Sequence, residues 1–367
     1  MPEENREAYL RLIEKITVLE DRFSNLKRVN AIGGGGYFSL VFESMDQTSN
    51  RKVAIKFYNP HHQGNAYRLE SFKREAKLLE EVTGSKDIID LVAPLSEFVH
   101  REELESGIPF EIHFPYYVLE LASSDVESAI AQGGWSAERI LLAFRGMCRA
   151  SQRIHRLLVA HRDLKPSNFL VMSDKSIKLA DLGAARRIDG VTDPLSASYM
   201  WPPGDKRYVA PEMFALLHDA DPAIAFGADI YSLGAILFEM FSGSQLVTFL
   251  FDGSYTEELM EVMRAVSSEK RRGTYHTFVE SIAAGHPLPS FAAFGPNVPR
   301  CIRSQLDELY MSMSNLDYRK RLCDYRTIFR KIDVCVWILR HEEQYRRWRD
   351  QKHRRQKQTP VTPDLGV

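Results

Sequence analysis

The sequence predicts an α+β chain folded as two unequal lobes, a small β-rich one over residues 28–121 and a larger helical one over 122–340. Three observations carry this. Between residues 28 and 121 the chain breaks into short runs rich in β-branched and aromatic residues: "SLVFES", "KVAIKFY", "LVAPLSEFV" and "YYVLEL". From residue 136 onward, apolar residues recur at helical spacing. The run "DIYSLGAILFEMF", residues 229–241, is apolar nearly all round, which predicts a helix buried at the centre of the second lobe.

Taken in order, residues 1–27 read as an N-terminal helical extension. Tyr9, Leu12, Ile13, Ile16 and Phe23 fall three and four apart among Glu, Arg and Lys, predicting a helix over 3–23 that caps the small lobe or meets a partner. "RLESFKREAKLLEEV" is the one helix expected within the β-rich lobe. In the second lobe Ile140, Phe144, Met147, Ser151, Ile154 and Leu158 form one mostly apolar stripe. Residues 184–209 and the Pro/Gly-rich stretch 285–300 read as loops. Residues 341–367 are basic and then Pro-rich, which reads as a frayed helix followed by disorder.

Bulk properties exclude rather than identify. The 367 residues carry 48 Lys and Arg against 49 Asp and Glu, a net charge of -1, so nothing in bulk argues for nucleic acid or an acidic membrane as partner. The opening "MPEENREAYL" is acidic and polar, unlike a signal peptide. No apolar stretch is expected to reach the roughly 18 residues that span a bilayer. Cys148, Cys301, Cys323 and Cys335 form no C-x-x-C pair and read as reduced, buried thiols of a cytoplasmic protein.

Six motifs carry chemistry, and each has a plainer reading beside it. In "IGGGGYFSLVF", residues 32–42, glycines let backbone N–H groups approach phosphates, with Gly34 and Gly36 at the first two positions of a G-x-G-x-x-G-x-V spacing; alone, the run is more often a hairpin turn. "VAIK" ends a strand on Lys56, with Ala54 on the same face; a solvent-facing lysine is the alternative. Glu75 flanks the packing stripe of Phe72, Ala76 and Leu79, where it could reach a lysine across a cleft or lie in water. "AHRDLKPSNFL", residues 160–170, sets Asp163, Lys165 and Asn168 around a proline at a bend: a proton acceptor, a cation for phosphate, and an amide oxygen for a hard cation. A surface turn with an ion pair fits that pattern poorly. "LADLGAA" places Asp181 at a turn after an apolar strand, suited to Mg²⁺ or to a simple Asx-turn. "RYVAPE" closes a long polar stretch with Glu212 at a helix start.

The conjunction in one order is what counts. A Gly-rich loop, a VAIK lysine, a helical glutamate, HRDLKPxN, D-x-G and APE follow one another, and the chain resembles the eukaryotic-type protein kinase family over about residues 28–340. The HRDLKPxN and APE elements are the specific ones. Lys165 resembles the serine/threonine branch.

The resemblance implies a two-lobed fold and a serine/threonine kinase that transfers the γ-phosphoryl group of ATP with Mg²⁺ to hydroxyls of protein substrates. By the same resemblance Lys56 would hold the α/β-phosphates and pair with Glu75, Asp163 would orient or deprotonate the hydroxyl, and Asn168 and Asp181 would bind Mg²⁺. Glu120, Leu121 and Ala122 would form the hinge behind a gatekeeper at Leu119, and Val41, Ala54 and Leu170 would sandwich the purine. Glu212 would pair with Arg321, and Asp229 would brace the bend. Arg162 would meet a phosphate on Thr192, Ser196, Ser198 or Tyr199. Five departures stand out: Ser39 replaces the third glycine, Gly33 stands where an apolar strand residue is expected, D-L-G replaces D-F-G, Tyr231 replaces the usual tryptophan of the central helix, and Asp205 stands where a threonine is usual. A carboxylate there is expected to pair with Lys165 and to repel Asp163. A pseudokinase scaffold and a small-molecule kinase are the other classes left open.

Overall fold

Side-chain alternation in the first third of the chain builds a six-stranded antiparallel sheet, ordered β1-β2-β3-β4-β6-β5. Its strands are β1 (Val18–Leu19), β2 (Phe23–Arg28), β3 (Ser39–Asp46), β4 (Arg51–Tyr58), β5 (Leu91–Glu103) and β6 (Pro109–Glu120). The computed structural model describes residues 2–29, 39–62, 64–103, 109–188, 204–217, 221–250, 253–285 and 287–358. Register decides which face does what. Phe42 opposes Ile55 and Leu40 opposes Phe57, and these side chains enter a core on the outer face of the sheet. Val41 opposes Lys56 on the inner face, and Ala54 opposes Leu119 there. A one-residue slip would exchange the two faces.

Helix α1 (Pro2–Glu14) closes the outer core, with Ile13 fully buried and Tyr9 edge-on to Phe114 at 6.0 Å. The helix expected over 3–23 therefore ends nine residues early. Glu20 and Asp21 adopt left-handed backbone (φ 49° and 53°), turning the chain so that Leu19 pairs with Phe23 across β1 and β2. Burial of those two side chains in the sheet outweighs their helical spacing. Helix α2 (Ala66–Val82) crosses the inner face; the Asn65 side chain accepts from the Arg68 N–H at its start.

The helical lobe is built round α6 (Pro222–Ser242), capped by Asp221, with Pro222 at its first position and Gly243 at φ 72° closing it. A Cβ on Gly234 would stand 2.2 Å from the Ser314 hydroxyl oxygen, so this glycine lets α6 lie close to the end of α10 (Arg303–Met313). Contrary to the expectation that no apolar stretch reaches membrane length, α6 is long and apolar enough to cross a bilayer, yet it is almost entirely buried, as a core helix is. Around it pack α4 (Ala137–His155) and α11 (Tyr325–Arg340). Leu158 leaves the α4 stripe: it lies past the helix at φ 57° and is exposed. Of the cysteines, Cys148 and Cys335 are buried as expected, whereas Cys301 is half-buried and Cys323 exposed, because both sit on connections beside α10 and α11. Helix α12 (Glu342–Gln358) follows α11; residues 359–367 lie outside the described residues.

Candidate active site

The cleft between sheet and helical lobe collects charges from three distant segments. Lys56, on the inner face of β4, lies with Nζ 2.9 Å and 3.0 Å from the two carboxylate oxygens of Glu75 on α2. The same nitrogen is 3.2 Å from Asp181 Oδ1. Asp181 follows β10 (Ile177–Leu179) at a left-handed turn, φ 58°. The exposures are 13% for Lys56, 3% for Glu75 and 46% for Asp181, so the set opens to solvent on the Asp181 side. Burial works against the Lys56 charge, but Asp181 and then Glu75 outweigh it and hold the ammonium well above its usual range. The Lys56 charge pulls Asp181 below the usual carboxylate range, while burial raises Glu75 against the pull of Lys56.

The bend "AHRDLKPSNFL" is held from beneath. After β8 (Val159–Ala160), the backbone N–H groups of His161 and Arg162 donate to the two oxygens of Asp229 at 2.7 Å and 2.8 Å, and His155 Nε2 lies 2.9 Å from the same carboxylate. Asp229 belongs to α6, so the most buried helix of the lobe fixes the bend, which carries Arg162 at φ 68°. Asp163 then accepts from Lys165 Nζ at 2.9 Å and from the Asp205 backbone N–H at 2.8 Å, while Asn168 Nδ2 donates to its carbonyl oxygen at 2.8 Å.

A cavity of about 330 Å³ lies between these groups. Val41, Ala54, Leu119, Leu121, Ala122 and Leu170 supply apolar walls; Lys56, Glu75, Asn168, Asp181 and Lys165 supply the polar end. Asp163 stands just outside it, bonded to three of the residues that line it. Glu120 also lines it, but its carboxylate accepts from Lys178 of β10 and from the Asp90 N–H, which ties the strand end to the helical lobe. The structure thus brings Val41, Ala54, Lys56, Glu75, Glu120, Leu121, Ala122, Asn168, Leu170 and Asp181 to one cavity. Gly34 and Gly36 lie outside the described residues, as do Thr192, Ser196, Ser198 and Tyr199.

The donor set suits a small hard cation. Among the described residues no group of three His, Cys, Asp or Glu side chains converges on a metal position. One half-exposed carboxylate and one amide at a cavity mouth match Mg²⁺ instead, which takes few protein oxygens and fills its shell with phosphate and water.

Asp205 forms no close ion pair with Lys165, as its position in the sequence implied it would; Lys165 pairs with Asp163 instead, and the Asp205 charge reaches Lys165 only at longer range. Its side chain turns to Arg207, with Nη2 at 2.8 Å and Nε at 3.0 Å, and only its backbone N–H faces Asp163. Burial opposes its charge, but Arg207 keeps the carboxyl below its usual range. Gly204 permits this approach: at φ 98°, a Cβ there would lie 2.4 Å from the Arg162 carbonyl oxygen. Glu212 and Arg321 form a sealed pair at 2.5 Å and 3.0 Å. Arg162 is half-buried, and desolvation of its guanidinium pushes it down to about 10, with the charges of Arg186 and Arg74 close by.

Glu127, Arg207 and Val29 also line the cavity and were not singled out from sequence. Arg207 sits inside "RYVAPE" and could have been found there. Glu127 carries no local signal, since its role comes from an ion pair to Arg207 eighty positions away.

The family model for the protein kinase domain matches residues 26–331. The chain is 30% identical over 239 residues to the serine/threonine-protein kinase PknA of Mycobacterium tuberculosis, covering 65% of this chain and 50% of that protein. It is 30% identical over 238 residues to the mitogen-activated protein kinase HOG1 of Ustilaginoidea virens, covering 62% and 56%. It is 28% identical over 288 residues to the extracellular signal-regulated kinase 1 of Candida albicans, covering 77% and 61%. The chain spans about half the length of PknA and somewhat more of the other two.

Proposed function

We propose, because the chain belongs to the protein kinase family, that it is a serine/threonine kinase transferring the γ-phosphoryl group of ATP to hydroxyls of protein substrates. The observation that carries the reading is the convergence of Lys56, Glu75 and Asp181 on one cavity whose mouth is one hydrogen bond from Asp163. Phosphoryl transfer needs positioning and charge stabilisation more than covalent help from protein. Lys56, kept charged and oriented by Glu75, meets the phosphates. The walls of Val41, Ala54 and Leu170 suit a flat purine, and the strand end at Glu120, Leu121 and Ala122 offers its edge backbone groups. Asn168 and Asp181 would hold Mg²⁺, which supplies charge neutralisation at the phosphates. Asp163 takes up the hydroxyl proton as the new P–O bond forms and the β–γ bridge breaks, and Lys165 neutralises the transferring group. The lobes are read as 28–121 and 122–340, flanked by 1–27 and 341–367. The compartment proposed is the cytoplasm, a reading that the four free thiols support.

The test is purified protein with labelled ATP, Mg²⁺ and a mixed peptide library, beside Asp163→Ala. The expected result is label on Ser and Thr in the wild type and a loss of about 10²–10⁴-fold in the variant. Nucleotide binding without transfer in the wild type overturns the reading in favour of a pseudokinase, and label confined to a metabolite overturns it in favour of a small-molecule kinase.

A further inference from the structure

The family match starts at residue 26, and α1 and β1 precede it. These residues nevertheless reach toward the cleft, most directly through Arg28. Arg28 is the last residue of β2. Its guanidinium rises from the strand to α1, with Nη1 2.9 Å from Glu7 Oε1, Nε 2.5 Å from Glu14 Oε1 and Nη2 2.9 Å from Glu14 Oε2. One arginine thus clasps two carboxylates seven positions apart, two turns along one face of the helix. The next residue, Val29, lines the cavity, and its N–H donates to the Val41 carbonyl at 3.2 Å; Val41 is the neighbouring wall. At its other side α1 packs against the turn Pro60–His62, which leads from β4 to the helix bearing Glu75. A helix outside the family's domain therefore touches both the strand that roofs the cavity and the lead-in to its buried glutamate.

We propose that Arg28, clasped by Glu7 and Glu14, is a positioning residue for the nucleotide, and that α1 is a built-in brace for the cavity roof; this rests on the nucleotide-transfer reading above. The burial pattern separates this role from simple stabilisation. The attachment of α1 to the lobe is already secured by Ile13, fully buried, and by the apolar residues around it. The Arg28, Glu7 and Glu14 side chains are 25%, 43% and 38% exposed, and ion pairs that open to water contribute little to global stability. What they do fix is the direction in which the end of β2 enters the cavity. A displaced Val29 weakens contact with the bound nucleotide in ground state and transition state alike, which raises KM without lowering kcat.

The experiment uses the full chain. Mg-ATP affinity, KM for ATP, kcat and the melting temperature without nucleotide are measured for wild type, Arg28→Gln, Glu14→Gln, and the exchanged pair Arg28→Glu with Glu14→Arg, the last made together with Glu7→Gln so that no carboxylate faces the new one. The expected result is a KM for ATP raised about three- to tenfold in Arg28→Gln, kcat within about twofold, and a melting temperature near that of wild type, with the exchanged pair recovering most of the lost affinity. Glu14→Gln, a milder change, shows the same split at smaller size and serves if Arg28→Gln fails to fold. A folded Arg28→Gln with the wild-type KM overturns the proposal. So does an exchanged pair that melts like wild type yet keeps the raised KM of Arg28→Gln. A wild type that does not bind Mg-ATP removes the nucleotide reading itself, and the brace with it; that outcome is distinct because it appears before any variant is made.

Discussion

Two of the deep ion pairs among the described residues are built to opposite ends. Arg321 and Glu212 are both 0% exposed, and the guanidinium is completed by the Gly227 and Asn315 carbonyls, so all of its charge is used within the protein. Lys56 and Glu75 are nearly as buried, but a third group, Asp181, is 46% exposed and a cavity opens beside them. The first pair is sealed and closed. The second carries two carboxylates for one ammonium at an open cavity, a charge arrangement that favours an arriving cation. Burial alone therefore does not mark a functional charge; a buried pair with an unspent partner and room beside it does.

The contrast can be broken or sharpened by substitution. The largest effect is expected at the sealed pair. Arg321→Ala strands Glu212 without its partner and should cost about 3–5 kcal/mol of stability, read by chemical denaturation. A loss below about 1 kcal/mol would mean that the pair is not sealed in solution. At the open set, Glu75→Gln should do the reverse. The melting temperature should move little, because Lys56 keeps Asp181, while phosphoryl transfer falls about tenfold, near 1.4 kcal/mol in the barrier. Equal losses of stability and rate at both sites would erase the distinction.

The smallest effect concerns pH, at a third pair in the β-rich lobe. Asp46 is buried and accepts from Arg22 Nε and Nη2 at 2.9 Å each and from Ser49 at 2.8 Å. The Arg22 hydrogen bonds hold its carboxyl far below the usual range. A carboxyl depressed on folding contributes stability that is complete above its unfolded pKa near 3.8 and is lost as pH falls below that value toward the folded pKa. Asp46→Asn should therefore lower stability by about 1 kcal/mol at neutral pH and by less at pH 2–3, flattening the acid limb of a stability profile. An unchanged slope would show that Asp46 gains nothing from Arg22.

Much of the site was legible in the chain because its groups sit in short motifs whose local geometry is nearly fixed. In the bend at residues 160–170, a proline between a preceding and a following strand already sets Asp163, Lys165 and Asn168 close together. Strand alternation was enough to put Ala54 and Lys56 on one face. What failed had a nonlocal cause. The N-terminal helix stops at Glu14 because sheet pairing claims Leu19 and Phe23. Asp205 turns away from Asp163 because Arg207 is there to receive it.

The sequence by itself determined the order of the two lobes, the identity of the charged groups and the turns that display them, since each depends on a few neighbouring residues. Only the tertiary structure decided that Glu75 is buried against Lys56 rather than solvated, that Asp229 holds the bend from the central helix, and that Arg28 hangs on α1. These are choices among partners far apart in the chain. They are settled by which pairings bury apolar surface while leaving no charge uncompensated, a condition on the whole fold that no single segment carries.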